Sequence, residues 1–153
     1  MFNNYGGYNQ KNTKSDIELI FIKKGFTDIK GNIREELITE EALNIAKHFK
    51  NENLSNSQLR AFFNEIKAIN NRLDDKKENF DKVYPMILMI KSKIEYRASK
   101  EKKKMEGFKC FLTEAVNYIQ KENKAGKGHE AFKNFVIFFE AVVGYSYGVG
   151  ITK

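Results

Sequence analysis

Apolar residues return every three or four positions along most of this chain, the period that lays them down one side of an α-helix. The clearest stretch holds Leu59, Phe62, Phe63, Ile66, Ile69 and Leu73. Ahead of it, Ser55-Asn56-Ser57-Gln58 has the form of a capping box, a hydroxyl residue followed three positions later by Gln. Further upstream, Thr39 precedes Glu40 and Glu41, acids suited to the positive end of a helix. Ala42, Leu43, Ile45, Ala46 and Phe49 give that helix its apolar face. Downstream, Asp74 to Asp81 is polar and contains a turn. Ile87, Ile90 and Ile94 then predict a long helix running towards Met105, with Pro85 in its first turn, where a missing N–H costs nothing. Gly107 marks a break. Phe108, Phe111, Leu112, Ala115, Val116 and Ile119 build the next helix, and Gly126-Lys127-Gly128 separates it from the last, about Glu130 to Tyr145. The run AFKNFVIFFEAVVGY is apolar nearly all round, which predicts the central, most buried helix.

The two ends differ from this pattern. Residues 1–14, rich in Asn, Gly and Tyr, lack periodicity and read as a flexible N-terminal tail. Ser15 is expected to cap a short helix carrying Ile17, Leu19, Ile20 and Phe21, which ends near Gly25. Residues 26–34 read as a loop, and the three glycines of the terminal GYSYGVGITK predict irregular backbone. The expected fold is all-α: a compact bundle of five to six helices, residues 15–153 forming a single helical-bundle domain behind the tail.

Composition sharpens this picture in two places. Thirteen Phe and seven Tyr, with no Trp, predict a core filled largely by aromatic rings. The balance of 27 basic against 20 acidic residues, a net charge of +7, favours a polyanionic partner, nucleic acid first. Between Lys91 and Lys104 stand seven basic and two acidic residues, so +5 of the +7 falls in one segment. For an isolated lysine-rich run, a solvated helix face is the commoner explanation. Cys110, the single cysteine, lies among Phe108, Phe111 and Leu112 and reads as a buried thiol in a reducing cytoplasm. No signal peptide and no membrane span is expected.

Enzymatic chemistry finds no foothold. His48 and His129 are far apart, no His/Cys cluster has zinc spacing, and Gly126-Lys127-Gly128 lacks the rest of a phosphate loop. No metal or cofactor is expected. Glu140 interrupts the apolar last helix, where a structural ion pair or partial exposure is the simplest account. Two basic stripes remain. Lys93, Arg97, Lys100 and Lys104 are spaced to share one face of the long helix, and Arg60, Asn64 and Lys67 one face of the helix before it. Rows of cations on rigid helices match the repeat of a phosphodiester backbone. Neither stripe is interleaved with exposed aromatics in the sequence pattern, so base stacking is not indicated.

Three segments resemble one known family. Leu54-Ser55-Asn56-Ser57-Gln58-Leu59-Arg60, the stretch from Ile90 to Lys100, and Phe132-Lys133-Asn134-Phe135 with Phe139-Glu140-Ala141-Val142-Val143-Gly144-Tyr145 are similar, in order and spacing, to motifs of the Csm complex small subunit. That subunit belongs to type III-A CRISPR interference complexes. Ser99-Lys100 stands where the family has Gly-Arg, keeping the charge but not the planar guanidinium. The resemblance implies a non-catalytic helical subunit of a ribonucleoprotein, in multiple copies beside other subunits. It would contact the target RNA, paired with CRISPR RNA, through its backbone and without sequence specificity. Arg60, Lys91, Lys93 and Lys100 match the family's basic positions; Lys67 and Arg97 are added from the stripes. Two other readings are a purely structural adaptor between subunits and a helical DNA-binding regulator.

Overall fold

The computed structural model describes residues 14–152, so the tail expected over residues 1–14 lies, but for Lys14, outside the described residues. Five long helices form: α1 (Glu40–Asn51), α2 (Asn56–Asp74), α3 (Phe80–Ala98), α4 (Lys102–Lys124) and α5 (Gly128–Gly148). A helical entry segment precedes them, its second part a π-helical turn over Leu19–Lys24, followed by a 3-10 turn at Glu36–Ile38. Gly25, at φ 70°, closes the entry turn by donating its N–H to the Ile20 carbonyl at 2.6 Å. The loop that follows is pinned by Asp28, whose carboxylate accepts from the Lys30 and Asn32 N–H groups, and by an antiparallel bridge between Thr27 and Ile33.

α5 packs against α1, α2 and α4 and is the central helix, as its all-round apolarity predicts. The core is aromatic. Phe49, Phe108, Phe111, Phe132, Phe135, Phe138 and Phe139 are fully buried. Phe111 holds the centre, its ring 5.4–5.7 Å from those of Phe49, Phe135, Phe138 and Phe139. Tilted and edge-on contacts of this kind add to the area buried. Cys110 lies half-buried beside this core, and burial pushes its thiol up to about 12, so it stays protonated and inert.

Several boundaries differ from the expectation. The long helix stops at Ala98 because the next positions on its apolar stripe are Glu101 and Lys102; Ser99–Glu101 turn the chain. Lys104 and Met105 therefore belong to α4, where fully buried Met105 opens the apolar face, and Gly107 lies inside that helix. Pro85 is the sixth residue of α3, not in its first turn, since Asn79 caps the helix six residues earlier by accepting the Asp81 N–H at 2.8 Å. Lys14 is already helical, so Ser15 lies inside the entry helix and is not its cap. α5 continues to Gly148 because Val142, Val143 and Ser146 are buried, and that packing outweighs the poor helix propensity of glycine.

Candidate nucleic-acid interface

From α2 to α5 each long helix runs antiparallel to the next, and α1 ends beside the C-terminal end of α5, where Lys50 donates to the Gly150 carbonyl. Arg97 meets Gln58 and Lys93 meets Glu65 across α2 and α3, while Lys91 meets Asn117 and Lys109 meets Glu95 across α3 and α4. One end of the bundle thus collects the C-termini of α1, α3 and α5 with the N-termini of α2 and α4. The opposite end collects the reverse set.

The six basic residues singled out from the sequence divide among three grooves. Lys93, Arg97 and Lys100 lie along the α2–α3 side. Lys93 Nζ is 2.9 Å from the Glu65 carboxylate, Arg97 donates to the Gln58 side-chain oxygen at 3.0 Å, and Lys100 Nζ sits 4.6 Å above the Tyr96 ring. Arg60 and Lys67 lie on the other side of α2, facing α5. The Arg60 guanidinium rests between the rings of Phe63 and Tyr147, at 5.9 and 5.8 Å, and Lys67 pairs with Glu140 at 3.1 Å. Lys91 faces α4 and donates to Asn117 at 2.8 Å. The expected four-residue stripe on one helix is shortened, because Lys100 sits in the turn and Lys104 on α4. Glu140 has the ion pair and the exposure anticipated for it.

Ser55 accepts the Gln58 N–H at 3.2 Å, as a capping box requires. The Gln58 side chain is turned outward to Arg97, so the reciprocal half of the box is not made. That contact orients the guanidinium at the mouth of the α2–α3 groove. Arg60, Arg97 and Lys100 therefore approach the same end of the bundle from three elements. Lys102, Lys103 and Lys104 join them in the first turn of α4, and Lys50 in the last turn of α1.

Among the described residues, none of these seven cations is paired with a carboxylate. Lys102 to Lys104 stand where the partial positive charge of the helix N-terminus already repels them, and neither α4 nor α2 has an acid in its first turn. Glu52, Glu95, Glu101 and Glu106 are the nearby acids; Glu95, paired with Lys109, and Glu106 line one cleft with Lys102 and Lys103. Burial pushes the Glu52 carboxyl above its ordinary value, against a 2.9 Å hydrogen bond from the Gly107 N–H that favours its charge. Such an end presents several donors that no carboxylate pairs directly, a surface for repeated anionic oxygens.

Two features escaped the sequence. The weight of Lys102 and Lys103 depends on the start of α4, which the lysine run alone does not mark. Tyr96 is 63% exposed on α3 beside Lys93 and under Lys100 of the following turn, and Tyr147 is 38% exposed beside Arg60. Both basic stripes therefore do carry an exposed aromatic ring, contrary to the sequence pattern. The Lys100 hydrogen bond and charge lower the Tyr96 phenol from its usual value. Among the described residues, no three His, Cys, Asp or Glu side chains gather as a metal site, and no helix is long and apolar enough to cross a membrane. A family model described as Csm2 Type III-A matches residues 33–148. No curated protein and no solved structure matches the chain.

Proposed function

Since the chain belongs to the Csm2 Type III-A family, the small subunit of the type III-A CRISPR complex, we propose that it serves there as a non-catalytic holder of target RNA. It grips the sugar-phosphate backbone and does not read sequence. The observation that carries this is the cluster of cations without carboxylate partners at the α2–α4 end, with three lysines placed against an unfavourable helix dipole. Residues that violate a local stability rule together are those a ligand rewards.

Arg60, Arg97 and Lys100 carry the role most directly. Lys93 and Lys67 contribute once a phosphate displaces Glu65 or Glu140, and Lys91 extends the surface towards α4. Copies of the subunit, set in series beside the other subunits, would repeat the contact along the paired target and CRISPR RNA.

A DNA-binding regulator finds less support. The three-residue turn Ser99–Glu101 joins α3 and α4, but these pack side by side along their length and offer no crossed recognition helix. A purely structural adaptor makes a different prediction from an RNA holder. Titration of the full chain with RNAs of unrelated sequence, at several salt concentrations, tests the proposal. The expected result is one affinity for all, with a common salt slope that falls by about 0.7 for each phosphate contact removed. A preference of tenfold or more for one sequence would overturn it. So would unchanged binding after Arg60, Lys91, Lys93 and Lys100 are all neutralised.

A further inference from the structure

The groove between α2 and α3 is more than a cationic edge. It is an open groove of about 400 Å³ lined by Ala61, Phe62, Glu65, Ser92, Lys93, Tyr96 and Arg97. Its lining is mixed, the Phe62 ring and the Ala61 methyl beside charged Glu65, Lys93 and Arg97, and the exposed Tyr96 ring has the Lys100 ammonium 4.6 Å over it. A ring held by a cation on one side and open to a partly apolar groove is built to receive a second flat, electron-rich surface.

We propose that this groove takes one nucleobase of the bound strand, stacked on Tyr96, while the flanking phosphates lie on Arg97 and Lys100. This rests on the backbone-holding role proposed above and adds a contact to the base itself. The contact is sequence-tolerant because every base has a π-face, so it agrees with binding that ignores sequence. Charge complementarity selects a nucleotide over an uncharged aromatic guest: Lys93 is neutralised by Glu65, but Arg97 and Lys100 have no carboxylate partner among the described residues. Glu65 leaves an acceptor inside the groove, able to take an N–H from the edge of a base.

The chain contains no tryptophan, so Tyr96→Trp in the full-length protein installs a single reporter at the groove. Its emission is followed during titration with oligoadenylate and with an abasic ribose-phosphate strand of equal length. Oligoadenylate is expected to quench the emission and the abasic strand to leave it unchanged. In parallel, Tyr96→Ala is expected to weaken oligoadenylate binding roughly five- to tenfold, the lower part of the range for base–aromatic stacking. It should leave the abasic affinity and its salt slope as they were, and Tyr96→Phe should bind as the parent does. Equal quenching by both strands, or equal loss on both in Tyr96→Ala, overturns the stacking proposal. If that happens while Arg97→Gln still weakens both strands, backbone holding stands without base stacking. If neither strand binds the parent chain, both proposals fall.

Discussion

The two ends of the bundle obey opposite electrostatic rules. At the end where α1, α3 and α5 begin, every helix has an acid in its first turn: Glu40 and Glu41, Asp81, and Glu130. Several cations there are held by carboxylates, while Lys76, Lys77, Lys82 and Lys124 have no such partner among the described residues. Arg34 forms a two-pronged contact with Glu41 at 2.8 and 3.0 Å, Arg72 pairs with Glu78, and Lys133 with Asp74. At the other end neither α2 nor α4 has an acid in its first turn, although Glu101 stands at the α4 N-cap, and Lys102, Lys103 and Lys104 follow it. Lys50 and Arg97 are well placed beside helix C-termini, but the α4 lysines have no such justification. One end is arranged for stability and the other for an anion that arrives from outside.

The sharpest way to break this contrast is to neutralise four cations at each end and compare. Replacing Arg97, Lys100, Lys102 and Lys103 by Gln should lower RNA affinity roughly 100-fold or more at low salt, with a shallower salt slope. The same change at Lys76, Lys77, Lys82 and Lys124 should move it less than about threefold, as distant exposed charges act mainly through a screened field. Equal losses in filter binding or anisotropy would dissolve the distinction between the ends.

Stability should respond in the reverse order. Arg34→Ala removes a largely buried guanidinium that also donates to the Gly25 carbonyl at 2.9 Å, leaving Glu41 inside. A loss of about 2–3 kcal/mol is expected from denaturant titration. Burial alone would raise the Glu41 carboxyl, but the hydrogen bonds and charges of Arg34 and, less strongly, Lys24 together hold it below the ordinary value. The contribution of this group is therefore present above the ordinary carboxylate pKa and fades as pH falls through the lowered one. Arg34→Ala should lose less stability than the parent as pH falls through that window, since burial then opposes the remaining Lys24 contact.

Glu52 at the cationic end has the opposite sign. With its folded value raised, chiefly by burial, its favourable contribution exists below the ordinary carboxylate pKa and is lost as pH rises through the raised one. Glu52→Gln keeps an acceptor for the Gly107 N–H without the buried charge, and should stabilise the neutral-pH protein by about 1 kcal/mol. Little gain, or a loss, in melting experiments would show that the charge is favourable where it stands. The smallest expected effect is also the most telling. Lys103→Glu places an acid in the first turn of α4 and should add about 0.5 kcal/mol of stability while weakening RNA binding, a trade-off absent from exposed lysines at the far end.

The helical segments were legible because burial follows period. Leu59 to Leu73 sits in the core as its spacing requires, and Ser55 caps the helix it precedes. The α3–α4 turn was not legible. Lys100 to Lys104 carries no Pro or Gly, its residues suit a helix, and only the burial of Met105 against the core assigns it to the second helix. Half of the candidate site shares this difficulty. Arg60, Lys67 and Lys93 were visible as charges, but spacing along a single helix says nothing of which neighbouring helix each side of it meets. The Lys67–Glu140 contact spans 73 residues of chain and Arg97–Gln58 spans 39.

By itself the sequence determined that this chain folds as helices around an aromatic core, carries an excess of positive charge, and bears the motifs of its family, because period, composition and motif are properties of neighbouring residues. Tertiary structure alone decided which cations keep a carboxylate and which do not, and that Tyr96 stands exposed beside a groove. Those outcomes depend on distances between helices, and a one-dimensional pattern contains no such distances.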